Sequence, residues 1–192
     1  MIEEEVPTIP ENKDIEVLDE KTYVEILDST GVALIIMKQK FKVTCNELTE
    51  LRDAVFGGVN DVDTNTIKLT PNWDRKIEKD VDHYVVVTLC PQTLKRGETK
   101  ERTLSYTFNN YFKSRDTDFR HLISKNTKKL TVFILFPSER RMRRLLVTDF
   151  RDAVRSVGKP LETEVYVLND RLVVWECEKP KMNLYYYLRW EW

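Results

Sequence analysis

The densest chemistry in the sequence is the run Ser138-Glu139-Arg140-Arg141-Met142-Arg143-Arg144. Guanidinium groups so close together suit phosphates or carboxylates, because each can donate two parallel hydrogen bonds. A solvated hairpin tip uses the same residues differently, since charge at a turn discourages edge-to-edge association. The chain carries a net charge of −1 and a pI near 6.2, so no global field draws nucleic acid or an anionic membrane. An anion site must therefore be local. The expectation is a solvated tip, with Arg140, Arg141, Arg143 and Arg144 kept as a candidate set for binding an anion or a partner. Lys38, Lys40 and Lys42 extend the set only if the fold brings the two groups together.

The second candidate is the stretch LYYYLRWEW, Leu184 to Trp192. Exposed rings would make a stacking platform for a base, sugar or peptide. As a strand, the stretch places Leu184, Tyr186, Leu188, Trp190 and Trp192 on one face. Tyr185, Tyr187, Arg189 and Glu191 take the other. Both Trp fall on the uniformly apolar face, which predicts a core strand; burying two rings and two Leu contributes roughly 8–12 kcal/mol gross. Tyr185, Tyr187 and Arg189 remain candidates for a small exposed contact face.

Other constellations are thin. Asp61, Asp63 and Asn65 have the spacing that begins a calcium loop, but Thr66 stands where glycine is needed and Asn72 where a bidentate glutamate is needed. An Asx-rich turn is expected there. His83 and His121 lack cysteine or carboxylate neighbours in a ligand pattern, so no metal site is expected. The sequence has no phosphate-cradling glycine loop, no nucleophile elbow and no C-x-x-C. No catalytic residue and no cofactor are assigned. Cys45, Cys90 and Cys177 are expected to be buried free thiols, which points to a reducing, cytoplasmic setting.

The elements that must position these residues read as β. Residues 1–20 are acidic and broken by Pro7 and Pro10, and are expected to be a flexible leader without the features of a secretory signal. The longest apolar runs, VALIIM and LTVFILF, are too short to span a bilayer. From Lys21, two strands join at Asp28-Ser29-Thr30-Gly31; Ala33, Ile35, Met37, Phe41 and Val43 share one face of the second. NELTELRDAVFGG fits a short helix through Leu48, Leu51 and Val55, or a bulged strand. Residues 59–82 read as loops around a strand at Thr66–Leu69. HYVVVTLC is a strand that Pro91 should end, followed by a loop through Glu101. Leu104, Tyr106 and Phe108 point inward from the next strand. KKLTVFILF is apolar on both faces and so central, and RLLVTDF is a possible strand. EVYVLNDRLVVWECE is a hairpin with its tip at Asn169-Asp170.

About ten strands with frequent turns predict one all-β domain over residues 21–192, an antiparallel, immunoglobulin-like β-sandwich with at most one or two short helices. The runs LKRGETKERTLSYTF, NTKKLTVFILFP and YYYLRWEW resemble β-rich bacterial modules that occur alone or beside signalling and defence domains. The resemblance implies an intracellular sandwich used for sensing or protein contact, and it implies no catalytic residue. The favoured function is thus a non-enzymatic interaction or sensor module with a protein partner. The alternative is a small-ligand or nucleic-acid binder using the arginines.

Overall fold

The computed structural model describes residues 13–56, 61–79, 83–109, 111–113, 116–140, 142–150, 165–168 and 171–191. Its regular structure is all β: β1 (Ile15–Ile26), β2 (Ala33–Val43), β3 (Glu47–Phe56), β4 (Val62–Thr70), β5 (Arg75–Lys79), β6 (His83–Lys95), β7 (Thr99–Phe108), β8 (Asp116–Leu122), β9 (Asn126–Thr127), β10 (Lys129–Leu135), β11 (Arg144–Phe150), β12 (Val165–Leu168), β13 (Leu172–Glu178) and β14 (Tyr185–Glu191). The large sheet has eight strands in the order β12-β13-β10-β1-β2-β7-β4, with β9 also pairing β1. Two three-stranded sheets, β11-β14-β8 and β3-β6-β5, complete the layers. The β1–β10 and β1–β9 pairs are parallel, a departure from the wholly antiparallel expectation. The strand count also exceeds the expected ten, because polar strands such as β5 (RKIEK) carry no apolar alternation to announce them.

Of the expected leader, residues 1–12 lie outside the described residues, and the rest is not a leader. β1 starts at Ile15, and Ile15 and Val17 are fully buried. A bulge between Val17 and Asp19 then shifts the inward face to Glu20, Thr22, Val24 and Ile26. That shift hides the strand in a segment rich in charge. The bulged-strand reading of residues 46–58 holds in β3. Its register slips between Leu48 and Glu50, so Leu48, Leu51 and Val55 all point inward at a spacing that imitates a helix.

Pro91 does not end β6. Leu89 faces Glu50 and Leu94 faces Leu48, so Pro91 lies within the stretch that the register slip leaves out of the ladder. An imino nitrogen is tolerated there. The β6–β7 turn is therefore only Arg96–Glu98, with Gly97 at φ +90°. At the β1–β2 turn Gly31 has φ +88°, and a Cβ there would lie 2.7 Å from the Phe112 and Lys113 backbone. Only glycine meets both demands. The strand expected at Thr66–Leu69 is present and longer, as β4 at Val62–Thr70, while Arg75–Lys79 forms a strand where a loop was expected.

Two apolar clusters fill the interior. The larger gathers Val24, Ile35, Val55, Phe108, Phe136, Trp175, Leu188 and Trp190, among others. The smaller holds Ile15, Val17, Phe41, Val43, Leu48, Leu51 and Leu94. The three cysteines are free but half-buried. Cys45 and Cys90 pack against the smaller cluster and Cys177 against the larger, each only partly covered.

Candidate functional site

The arginine-rich turn precedes β11. The Arg140 N–H donates to Pro137 O at 3.2 Å, and its Nη1 donates to Lys113 O at 3.2 Å. Arg143 and Arg144 are exposed, with the Arg143 N–H on Glu191 O at 2.8 Å. Arg141 lies outside the described residues. Lys38, Lys40 and Lys42 belong to β2 of the large sheet and face away from its core, whereas Arg144 belongs to the β11–β14–β8 sheet, so the described residues place the two basic groups on different sheets.

Tyr187, Arg189 and Arg144 do share the outward face of that small sheet. In register, Arg144 sits opposite Glu191 and Arg189 opposite Asp118, while Tyr187 lies between Thr148 and Arg120. The Arg120 guanidinium stands 5.2 Å over the Tyr187 ring and donates to Asp118 at 3.2 Å. Signs alternate across the face, which weakens any field for an anion. Tyr185 departs from expectation. It is 7% exposed despite its outward parity, and Thr148 on the same face is also buried. On the inward face Tyr186, Leu188 and Trp190 are buried, as expected of a core strand. Trp192 lies outside the described residues. Asp63 Oδ1 accepts from the Asn65 N–H at 3.0 Å, the expected Asx turn.

A buried ionic network escaped the sequence reading. Glu20, Gln39 and Arg102 form one row across β1, β2 and β7 on the inner face of the large sheet. Asp53 meets them from β3, His121 from β8, and Lys125 from the β8–β9 connection. Arg102 Nη2 donates to Asp53 Oδ1 at 2.7 Å, and its Nε and Nη2 donate to Gln39 Oε1 at 3.0 and 2.7 Å. Gln39 Nε2 donates to Glu20 Oε2 at 2.7 Å, His121 Nε2 lies 2.7 Å from Glu20 Oε1, and Lys125 Nζ bonds Asp53 Oδ1. Glu20, Asp53, Arg102 and Lys125 are each at most 4% exposed.

Burial pushes the Asp53 carboxyl up, but the Arg102 and Lys125 charges and hydrogen bonds outweigh it and hold it at about 2. Glu20 is likewise lowered, because the His121 charge and hydrogen bond, with Lys125 and Gln39, exceed the cost of its burial. Burial pulls Lys125 below the usual lysine value, against the attraction of Asp53. Perturbed groups of this kind can mark a reaction site. Here the adjoining cavity, lined by Glu20, Gln39, Asp53 and Lys125, measures about 20 Å³. That admits nothing larger than a water molecule. The network therefore ties three sheets together along the seam between the two apolar clusters. The clue in the sequence is Gln39 and Arg102, each at an inward parity position of its strand.

The outward face of the large sheet is the other feature that was missed. One register row reads Tyr166, Val174, Phe133, Tyr23 and Ile36 across β12, β13, β10, β1 and β2. The next reads Leu168, Leu172, Leu135, Glu25 and Leu34 on the same strands. All are partly or well exposed; Tyr166 stands at 46% and Leu168 at 53%. Tyr23 and Phe133 stack with centroids 4.7 Å apart and planes 6° from parallel, and Lys38 Nζ lies 5.1 Å over the Tyr23 ring. A depression of about 360 Å³ runs between Tyr23, Leu34, Ile36, Phe133, Leu135 and Leu172, with Glu25 and Lys38 at its margins. VALIIM and LTVFILF carried the signal, since both are apolar at odd and even positions. The both-faces pattern places β10 centrally, as expected, but the described residues put no second layer over its outer side.

No family model matches the chain, and no curated protein matches it. Among solved structures it is similar to a protein provisionally described as a protease from Parabacteroides distasonis ATCC 8503, with TM-score 0.51 and 10% identity over 93% of this chain and 40% of that one. It is also similar to a protein provisionally described as nutrient-binding from Legionella pneumophila subsp. pneumophila str. Philadelphia 1, with TM-score 0.51 and 13% identity over 92% and 67%. The chain spans about 40% of the length of the first. Likeness at such identities concerns the fold alone. No helix among the described residues is long and apolar enough to cross a membrane.

Proposed function

We propose that the chain is a non-catalytic protein-contact module whose working surface is the apolar outward face of the eight-stranded sheet. The observation that carries this reading is the pair of apolar register rows on that face, which meet around the Tyr23–Phe133 stack. A contiguous exposed patch of a few hundred Å² is the usual mark of a contact site on a folded domain. Covering about 400 Å² of it contributes on the order of 10 kcal/mol gross at the ordinary area coefficient. The two solved structures described above are each longer than the part that this chain matches, which fits a module that works beside other folded parts. The protease and nutrient-binding descriptions of those proteins are not carried over by fold alone.

The immunoglobulin-like layout inferred from the sequence enters only as the analogy of a β scaffold acting by contact. The signalling or defence setting implied by the resemblance is a proposal beside this reading. The nucleic-acid alternative is less well supported, because Arg144 and Arg189 face Glu191 and Asp118 in register.

The test is a paired affinity isolation from the native host, using the parent, Ile36→Glu/Phe133→Glu, and Arg143→Gln/Arg144→Gln. A partner kept by the arginine variant and lost by the glutamate variant supports the reading. One kept by the glutamate variant and lost by the arginine variant contradicts it.

A further inference from the structure

The occupant of the apolar face follows from its hydrogen-bonding state, its shape and its charges. β1, β2 and β10 lie in the interior of the sheet, each paired on both sides. The face above them therefore offers side chains but no free ladder groups. A single extended strand laid across it would desolvate its own N–H and C=O groups with nothing to pair them. A helix satisfies its backbone internally and needs only an apolar stripe. The surface is also concave between Tyr23, Ile36, Phe133 and Leu135. Two copies of one concave face leave the depression unfilled, whereas a convex helix fills it.

Charge narrows the occupant further. Glu25 and Lys38 are both exposed, and neither makes an ion pair among the described residues. Lys38 is in register with Lys21, four positions along β1 from Glu25. At about 3.3 Å per residue and one strand of offset, the two charges stand roughly 14 Å apart. A helix covers that distance in about nine residues at 1.5 Å per residue.

We infer that the depression seats an amphipathic helix of a partner protein, its apolar stripe over Tyr23, Ile36 and Phe133. A basic residue of that helix meets Glu25, and an acidic residue about nine positions away meets Lys38. The inference rests on the contact-module reading and names the partner of that same surface. Opposite charges at the two ends give the interface its selectivity, since rim charges choose partners more than they add affinity.

The experiment titrates the whole chain with three synthetic 18-residue helical peptides that share one leucine stripe. The first carries Lys at position 5 and Glu at position 14, the second Lys at both, and the third Glu at both. The parent is expected to prefer the first by about fivefold or more, the size that two modest ion pairs against one clash produce. Glu25→Lys should shift the preference to the di-glutamate peptide and Lys38→Glu to the di-lysine peptide. Both substitutions sit on an exposed face, and circular dichroism checks that the fold persists. Equal binding of all three peptides, or of none, overturns the helix inference. A parallel titration with an apolar fluorescent dye separates the two levels. Dye binding that Ile36→Glu/Phe133→Glu abolishes keeps the contact surface without the helix. Dye binding that the double variant leaves unchanged overturns the surface itself.

Discussion

Asp53→Asn keeps the shape of a buried side chain and removes one charge, leaving Arg102 and Lys125 without the carboxylate that both contact. The effect can be sized in two ways. The carboxyl sits at about 2 against an ordinary 3.8, with burial opposing and the two cations prevailing. A difference of about 1.8 units corresponds to about 2–3 kcal/mol of stability. Removing one partner from a buried ion pair costs about 3–5 kcal/mol, because the remaining charges stay desolvated. The expected loss at pH 7 is therefore about 3–4 kcal/mol. A depressed carboxyl contributes fully above its unfolded value and loses its contribution as pH falls toward the folded one. The parent–variant difference should thus be constant above about pH 5 and shrink as pH falls from about 4 to 2. Urea denaturation at pH 7, 5, 4, 3 and 2.5 measures it. A loss below 1 kcal/mol at pH 7, or a difference that does not narrow in acid, refutes the reasoning.

Trp190 is buried against Phe112 and Phe136, so Trp190→Ala should cost about 3–5 kcal/mol, while half-buried Tyr187→Ala should cost less than half as much in the same denaturation assay. Gly31→Ala meets both a positive φ and backbone at 2.7 Å, whereas Gly97→Ala meets strain but open space. Thermal melts should therefore show Gly97→Ala losing about 1–2 kcal/mol and Gly31→Ala losing clearly more. Replacing Arg140, Arg141, Arg143 and Arg144 with Gln should move stability by less than about 1 kcal/mol. Oligonucleotide binding by the parent should be weak and absent at physiological salt, as titration at two ionic strengths will show.

Clean alternation made much of the fold legible. Ala33, Ile35, Phe41 and Val43 face the core as read, and so do Leu104, Tyr106 and Phe108. What failed was alternation itself, wherever a bulge broke it. The irregularity near Leu18 turned an acidic-looking leader into half of β1, and the slip at Leu48–Glu50 made a strand imitate a helix. Charge in a strand ordinarily marks a solvent-facing position. Arg102 and Glu20 nonetheless sit at inward positions, where partners from other sheets neutralise them, and no local pattern reveals partners so distant in sequence. Of the candidate site, the arginines and Tyr187 were found by composition, and the structure places Arg144, Tyr187 and Arg189 on one face. The apolar outward face was visible in VALIIM and LTVFILF. In LTVFILF the run of consecutive apolar residues correctly marked a central strand, but the sequence does not say whether the same polypeptide covers its outer side.

The contact-module reading is tested most directly by placing a photo-crosslinking residue at Ile36 in cells of the native host, with a control at Tyr187 on the outward face of the β11–β14–β8 sheet. The account predicts a discrete protein adduct from Ile36, lost when Phe133→Glu is added, and no matching adduct from Tyr187. An adduct from Tyr187 with none from Ile36 would contradict it and move the working surface to the arginine- and tyrosine-bearing sheet.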